Sequence, residues 1–135
     1  MLAVWREWKL DEILHKAYTK GTIMSGVSAG AICWFEKGIT DSWKDRQAVL
    51  PCLGFVKGIC CPHYDEEAER KPSLLKFINE NLLSDCYAID GGCAVHIKND
   101  ELYKAISFKN GKNTYLVRKE NGKVNEVPLP RINIS

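Results

Sequence analysis

The sequence lacks any long apolar run and any block of like charge. None of its apolar stretches approaches the ~20 residues that span a bilayer, and charged residues interrupt the N-terminus where a secretory leader would need an apolar core. The 19 basic and 17 acidic residues are mixed along the chain, which argues against a nucleic-acid partner. We therefore expect a cytoplasmic protein with neither a membrane nor a nucleic acid as its partner.

The cysteines lack the spacing of a metal site or of a disulfide framework. The six are at positions 33, 52, 60, 61, 86 and 93, with no C-x-x-C pair among them. Without a leader the chain would stay in a reducing compartment, so we expect free thiols that serve as small buried hydrophobes. A thiol nucleophile at Cys33 or Cys93 is disfavoured because neither lies on a tight turn. We expect no bound metal.

The chain does contain enough apolar sequence for a single domain over residues 1–135. A domain of this length, with 45% apolar residues, can bury a core without disulfides. Its first two-thirds alternates between helical and strand patterns. Helices are predicted over 2–19, 29–37 and 66–82, strands over 22–27, 54–61, 86–90 and 93–98, and a loop over 39–53.

The last third of the chain has the pattern of antiparallel strands. Apolar and polar residues alternate in "LYKAISF" (102–108) and "NTYLVRK" (113–119). Asn110-Gly111 and Asn121-Gly122 follow these runs, and Asn-Gly is a strong signal for a two-residue hairpin. The sequence therefore predicts an α/β sheet with a C-terminal antiparallel β-meander.

One short motif suggests a catalytic nucleophile. Residues 26–30 read G-x-S-x-G between a predicted strand and a predicted helix, which is the pattern of a nucleophile elbow centred on Ser28. Small neighbours suit a strained turn that exposes the hydroxyl, and the N–H groups of a following helix can stabilise an oxyanion. The alternative is a well-packed turn, because small-residue turns at strand ends are common.

A catalytic serine needs a base and an acid that orients the base. His63 follows one predicted strand and Asp90 is the last residue of another, and the carboxyl ends of strands in an open α/β sheet converge on one crevice. His15 lies in the first predicted helix and His96 within a strand. The order Ser28, His63, Asp90 excludes the α/β-hydrolase scheme, in which the acid precedes the histidine. The alternatives are a loop histidine and an aspartate that caps the Gly91-Gly92 turn.

Three segments together resemble the active-site segments of the peptidase E family of serine peptidases, which includes cyanophycinase. They are "SGVSAGAICWF" (25–35), "CPHYDEEAER" (61–70) and "YAIDGGCAV" (87–95). The opening "WREWKLDEIL" (5–14) resembles the helix before the nucleophile strand in Gram-positive-type members. The resemblance implies a flavodoxin-like fold, similar to class I glutamine amidotransferases, with helices on both faces of the sheet.

The resemblance also implies an activity and a set of site residues. Ser28 would be the nucleophile, His63 the general base, Asp90 the acid, and Ala29 would supply an oxyanion N–H. The implied substrates are small peptides, notably Asp-X dipeptides, cleaved through an acyl-enzyme without a metal or cofactor. Arg70 is a candidate for binding a substrate carboxylate, because a guanidinium suits that geometry; the alternative is an exposed helix arginine.

Family members are typically much longer than this chain, with further βα units before the segment that matches residue 1. By this resemblance the chain would be a truncated domain without the N-terminal strands and without the glycine-rich loop that supplies a second oxyanion donor. The open sheet edge would invite homodimerisation. The alternative to an active peptidase is therefore a catalytically impaired family fragment that dimerises or needs a partner chain.

Overall fold

The fold is given by a computed structural model, which describes residues 1–42 and 46–134. Helices and strands are numbered separately in chain order. The helices are α1 Leu2–Glu7, α2 Leu10–Thr19, α3 Ala29–Ile32 and α4 Arg70–Asn79. The strands are β1 Phe35–Thr40, β2 Ala48–Pro51, β3 Val56–Cys61, β4 Cys86–Ile89, β5 Cys93–Lys98, β6 Glu101–Ser107, β7 Thr114–Glu120, β8 Lys123–Pro128 and β9 Arg131–Asn133.

The main sheet has six strands in the order β2-β1-β3-β4-β7-β8. Its centre is parallel, because β3 pairs in parallel with both β1 and β4. The flanking pairs, β1 with β2, β4 with β7 and β7 with β8, are antiparallel. The predicted α/β class is therefore confirmed in its coarse form, as a mixed sheet with helices. The parallel centre directs the ends of β3 and β4 toward the same edge of the sheet, where the site is built.

The sheet is buried on both faces, as expected for central parallel strands. Cys60 and Cys61 are adjacent in β3 and point to opposite faces, so each belongs to a different core. The α4-side core consists of Ile39, Ile59, Cys61, Tyr64, Leu74, Ile78, Leu83, Cys86, Ala88 and Val117. The α3-side core consists of Leu2, Ile32, Cys33, Phe35, Cys52, Val56, Cys60 and Ile89.

A second sheet holds three strands in the order β5-β6-β9. The β5–β6 hairpin turns at Asn99 and Asp100, both with positive φ (54° and 64°). The predicted Asn121-Gly122 hairpin is confirmed, since it joins β7 to β8 with φ values of 51° and 78°. The predicted single meander is wrong, because β6 and β7 lie in different sheets and Asn110-Gly111 joins no hairpin.

Two predictions for the N-terminal third are corrected. The helix predicted over 2–19 is two helices, since Lys9 has a φ of 54° and separates α1 from α2. The strand predicted over 22–27 does not form within the described chain, where this extended segment pairs with no neighbouring strand. Ile23 and Val27 are 90% and 85% exposed. Apolar β-type residues favour a strand, but the strand needs a hydrogen-bonding partner to form.

The predicted helix over 29–37 and the loop over 39–53 are also revised. The helix ends after one turn, and Gly38 lies inside β1 instead of ending a helix. A Cβ at Gly38 would lie 2.6 Å from the Cβ of Ile32, so this glycine lets α3 pack closely on β1. Two parts of the predicted loop, residues 39–40 and 48–51, lie in the antiparallel pair of β1 and β2; its residues 43–45 lie outside the described residues. None of the described helices is long and apolar enough to cross a membrane.

Candidate active site

Ser28 occupies a strained turn at the start of α3. Its φ of 54° and ψ of −117° lie outside the regions that side-chain-bearing residues ordinarily adopt. The turn depends on Gly26, because a Cβ there would lie 2.0 Å from the carbonyl oxygen of Gly30. A Cβ on Gly30 itself would meet nothing within 4 Å. The first glycine of G-x-S-x-G therefore permits a close approach of backbone to backbone.

His63 approaches Ser28 from the end of β3. It follows Pro62 directly after the strand and also has a positive φ, of 57°. Its Nε2 lies 2.9 Å from the Ser28 Oγ, which is hydrogen-bonding distance for a nucleophile and its base. The structure thus brings together two of the three expected triad residues, and the third lies elsewhere.

The other ring nitrogen of His63 pairs with Glu66. Nδ1 lies 2.6 Å from the Glu66 Oε2, three residues along the chain. Asp90 has a different partner, because its Oδ2 accepts the Asn113 backbone N–H at 2.9 Å and its own N–H donates to the Asn113 carbonyl at 3.1 Å. Burial raises the pKa of the Asp90 carboxyl above its ordinary value. In this arrangement the acid beside the histidine is Glu66, in place of the expected Asp90.

Asp65 ties the histidine loop to the loop that follows β4. Its Oδ1 accepts the Gly91 N–H at 2.7 Å, and its Oδ2 pairs with the Lys112 ammonium. Burial acts to raise the pKa of Asp65, but the hydrogen bonds from Lys112 and Gly91 outweigh it and hold that pKa below its ordinary value. The two loops are therefore held together while Asp65 is ionised.

Arg70 is buried, with only 3% of its surface exposed. Its guanidinium donates to the Ile39 carbonyl at 2.8 Å and to the Glu67 carboxylate. Its Nε is buried without an acceptor in the described part of the chain. The expected alternative of an exposed helix arginine is therefore wrong, and the guanidinium already has a carboxylate partner.

A small cavity of about 70 Å³ lies beside the serine. Its lining includes Ser28, Ala29, Asp41, Glu67 and Arg70. In the described part of the chain, the backbone hydrogen bonds of the elbow turn begin at Gly30, whose N–H donates to the Val27 carbonyl at 2.9 Å. The preceding N–H, on Ala29, is left without a backbone acceptor among these residues, as an oxyanion donor would need to be.

The thiols have the character of core residues. All six cysteines are free, and five of them are buried. Burial raises the pKa of Cys33 to about 11 and that of Cys61 to about 12, and it also raises the pKa of the half-buried Cys93. These groups are therefore neutral thiols near pH 7, whereas the reactive form of cysteine is the thiolate. Within residues 1–42 and 46–134, no three His, Cys, Asp or Glu side chains are arranged to hold a metal ion.

Two acidic residues of the site were missed from the sequence. Glu66 and Glu67 stand in the acidic run after His63, at the start of the helix predicted over 66–82, and no role in the site was predicted for them. The available signal was spacing, since residues three apart face each other when the chain turns as a helix does. The positive φ at His63 and the turn after it supply that geometry, with the Glu66 N–H donating to the His63 carbonyl at 3.2 Å.

Comparison with known proteins identifies the family. The sequence profile of Peptidase family S51 matches residues 1–105. An uncharacterized peptidase, YgaJ, from Bacillus subtilis (strain 168) is 43% identical over 130 residues. The match covers 96% of this chain and 56% of YgaJ, so the chain spans about half the length of this relative. The chain therefore belongs to Peptidase family S51, the peptidase E family that its three motifs resemble.

Proposed function

We propose that this protein is a serine peptidase that hydrolyses small peptides, with Ser28 as the nucleophile and His63 as the general base. The observation that carries the proposal is the 2.9 Å contact between the Ser28 Oγ and the His63 Nε2, made by a serine on a strained turn. Family membership and the peptidase name of YgaJ support the reaction class. The free thiols support a cytoplasmic location.

The reaction follows from these two residues. The Ser28 Oγ attacks the peptide carbonyl carbon while its proton passes to the His63 Nε2. The tetrahedral intermediate then collapses, the C–N bond breaks, and the leaving amine takes that proton. Water attacks the resulting ester and gives a proton to His63, and the acid product leaves as the proton returns to Ser28. The Ala29 N–H would stabilise the oxyanion in both halves of the reaction.

The parallel strands β1, β3 and β4 with helices on both faces are compatible with a flavodoxin-like fold. Cleavage of Asp-X substrates would use Arg70 to bind the aspartyl carboxylate. That assignment requires the substrate to share Arg70 with Glu67, because the guanidinium is already paired. A Ser-His-Asp triad would require the Asp90 carboxylate, which accepts the Asn113 N–H, to replace Glu66 at the His63 Nδ1.

Labelling with a fluorescent phosphonate tests the proposal, because such reagents phosphonylate only an activated serine. We expect the purified wild-type chain to be labelled and Ser28→Ala to lose the label. Ser25→Ala is the matched control, since it makes the same substitution at an exposed serine of the same segment. A folded wild-type chain that takes no label, or a label that persists in Ser28→Ala, would refute the proposal.

A second candidate is a chain with little activity of its own that pairs with another copy. The exposed Ile23 and Val27 favour it, because they lie in an extended segment that forms no strand pair in the described chain. Light scattering after size exclusion should then show a dimer that Ile23→Lys converts to a monomer. Ile13→Lys, at an apolar residue of α2 that is also exposed, should remain dimeric. A wild-type monomer across micromolar concentrations would eliminate this candidate.

A further inference from the structure

We propose that Lys112 and Glu126 are positioning residues for the proposed reaction, because they anchor the loop that carries His63. The inference rests on the proposed function for its catalytic meaning. It rests on one juxtaposition for its evidence: the two residues that follow this histidine are bonded to Glu126 and to Lys112. Both anchoring residues lie beyond residues 1–105, the part of the chain that the family profile matches.

The loop needs anchoring because its backbone is strained. His63 has a φ of 57°, a conformation that a residue with a side chain keeps only where the surrounding structure determines it. The His63 Nε2 lies 2.9 Å from the Ser28 Oγ, so a movement of the loop changes the distance from base to nucleophile. A displacement of 1 Å can cost about 10²-fold in rate. The contacts that fix the loop therefore influence the rate of the reaction.

The first anchor is made by Asp65. Its Oδ2 pairs with the ammonium of Lys112, just before β7, and its Oδ1 accepts the Gly91 N–H at 2.7 Å from the loop after β4. Burial acts to raise the pKa of the Asp65 carboxyl, but these two partners outweigh it and hold that pKa below its ordinary value. Asp90 and Cys93 also lie within electrostatic range of Asp65. The ionised carboxylate thus joins the histidine loop to two other loops.

The second anchor is made by Tyr64, which is buried. Its hydroxyl donates to the Glu126 Oε2 in β8 at 2.7 Å, and its backbone N–H donates to the Ile89 carbonyl at the end of β4 at 3.1 Å. Burial and the bond to Glu126 raise the pKa of the Tyr64 phenol, so the hydroxyl keeps the proton that it donates. Lys71 of α4 pairs with the same Glu126 oxygen at 2.7 Å. Glu126 therefore joins β8, α4 and the histidine loop.

Exposure to water limits the effect of removing either anchor. The side chains of Lys112 and Glu126 are 40% and 26% exposed, and solvent weakens ion pairs at such sites. Tyr64→Phe removes the bond to Glu126 without leaving a buried charge. We expect Lys112→Met and Tyr64→Phe each to slow phosphonate labelling of Ser28 by about 3- to 10-fold. Lys112→Arg keeps the charge that pairs with a carboxylate and should recover most of the rate.

The way in which labelling slows distinguishes positioning from a change in reagent binding. A displaced base slows the chemical step and leaves binding intact. The limiting rate at saturating phosphonate should therefore fall in Lys112→Met and in Tyr64→Phe, while the concentration that gives half of that rate stays unchanged.

Matched variants control for the loss of a surface lysine and of a tyrosine hydroxyl. Lys76→Met breaks the exposed pair of Lys76 and Glu80 on α4, and Tyr103→Phe removes the hydroxyl of an exposed tyrosine in β6. Both variants should be labelled at the wild-type rate. Urea unfolding of every variant establishes that the labelling rate is measured on a folded chain.

A second readout does not depend on peptidase activity. The ¹H–¹⁵N signal of the Gly91 amide should titrate at low pH as Asp65 takes up a proton, because this amide donates to the Asp65 carboxylate. Lys112→Met removes an ammonium that lowers the pKa of Asp65, so the midpoint of the titration should move to higher pH. Lys76→Met should leave the midpoint at its wild-type position.

Each outcome decides the question. Equal labelling rates in the wild type, Lys112→Met and Tyr64→Phe would overturn the inference, and so would an equal loss of rate in the two control variants. A Gly91 midpoint that stays unchanged in Lys112→Met, or a rate that Lys112→Arg does not restore, would overturn the role of the ion pair. If the midpoint moves as predicted but the wild type is never labelled, the anchor stands as a contact of the loop, and the proposed peptidase function fails.

Discussion

At the scale of single residues, the site is built from backbone conformations that side-chain-bearing residues rarely adopt. Ser28 and His63 both have positive φ, of 54° and 57°, and they are hydrogen-bonded to each other. Each such residue costs on the order of 1–3 kcal/mol, which the surrounding structure must offset. Close packing of Gly26 against Gly30 stabilises the elbow turn. The hydrogen bond from the Gly91 N–H to the Asp65 carboxylate stabilises the histidine loop.

The two glycines of the elbow should respond in opposite ways to the same substitution. Gly26→Ala places a Cβ 2.0 Å from a backbone carbonyl that cannot move independently, so we expect about 1–3 kcal/mol of destabilisation. Because a 1 Å displacement of a reacting group can cost about 10²-fold, phosphonate labelling should fall by a similar factor. Gly30→Ala meets nothing within 4 Å and should raise stability by up to about 1 kcal/mol.

Urea unfolding and the labelling rate of the two variants, measured side by side, check this prediction. Gly30→Ala is the control for Gly26→Ala, because both add one methyl group to the same pentapeptide. Equal tolerance of the two changes would mean that the turn is not as closely packed as the structure has it. Equal damage would mean that the second glycine matters for a reason other than local contact.

At the scale of elements, the sequence predicted what depends on local pattern. The strands at 54–61, 86–90 and 93–98 correspond to β3, β4 and β5, and the helix at 66–82 contains α4. The first two are short apolar runs bounded by turn residues, and consecutive strands are neighbours in space, since β3 pairs with β4 and β5 pairs with β6. Local pattern and tertiary packing agree there, so the pattern is sufficient.

The elements that were missed depend on information that is not local. The break between α1 and α2 is set by one left-handed residue, Lys9, within a run whose helical periodicity continues across it. Gly38 was read as a helix stop, but its role in β1 is to admit Ile32, which only the packed structure reveals. The pairing of β6 with β9, instead of with β7, is likewise a tertiary choice between strands of similar pattern.

The same distinction between local sequence pattern and tertiary packing applies to the residues of the candidate site. Ser28 and His63 could be found because a motif and the ends of predicted strands mark them, and the structure brings them within 2.9 Å of each other. Glu66 could not be separated from Asp65, Glu67 and Asp90 by composition, since all four are acidic residues near predicted turns. Glu66 is distinguished by its carboxylate, which lies against Gly91 in the loop after β4. No short-range sequence pattern encodes that contact.

At the scale of the whole molecule, five buried thiols link the stability of the fold to alkaline pH. Cys33 and Cys60 lie in the α3-side core, and Cys61 and Cys86 lie in the α4-side core. Burial raises the pKa of Cys33 from 9.0 to about 11 and that of Cys52 from 9.0 to about 12. The folded chain therefore keeps thiol protons at a pH where the unfolded chain releases them.

The sign of the effect follows from this difference in proton binding. Below pH 9 both states hold the thiol protons, and the contribution of the thiols to stability is fully present. Between about pH 9 and 11 the unfolded chain loses the Cys33 proton while the folded chain retains it, so the free energy of unfolding must fall as the pH rises. One such thiol contributes a slope of at most about 1.4 kcal/mol per pH unit.

Urea unfolding under reducing conditions at a series of pH values from 7.5 to about 10.5 should therefore give a steadily decreasing free energy of unfolding. Cys33→Ala lowers stability at every pH because it leaves a cavity, but it removes one titrating thiol and should make the decline shallower. The slope separates the two effects, since a cavity shifts the whole curve and a titrating group tilts it. If the free energy of unfolding falls with pH at the same rate in the wild type and in Cys33→Ala, then titration of Cys33 does not contribute to the loss of stability at alkaline pH.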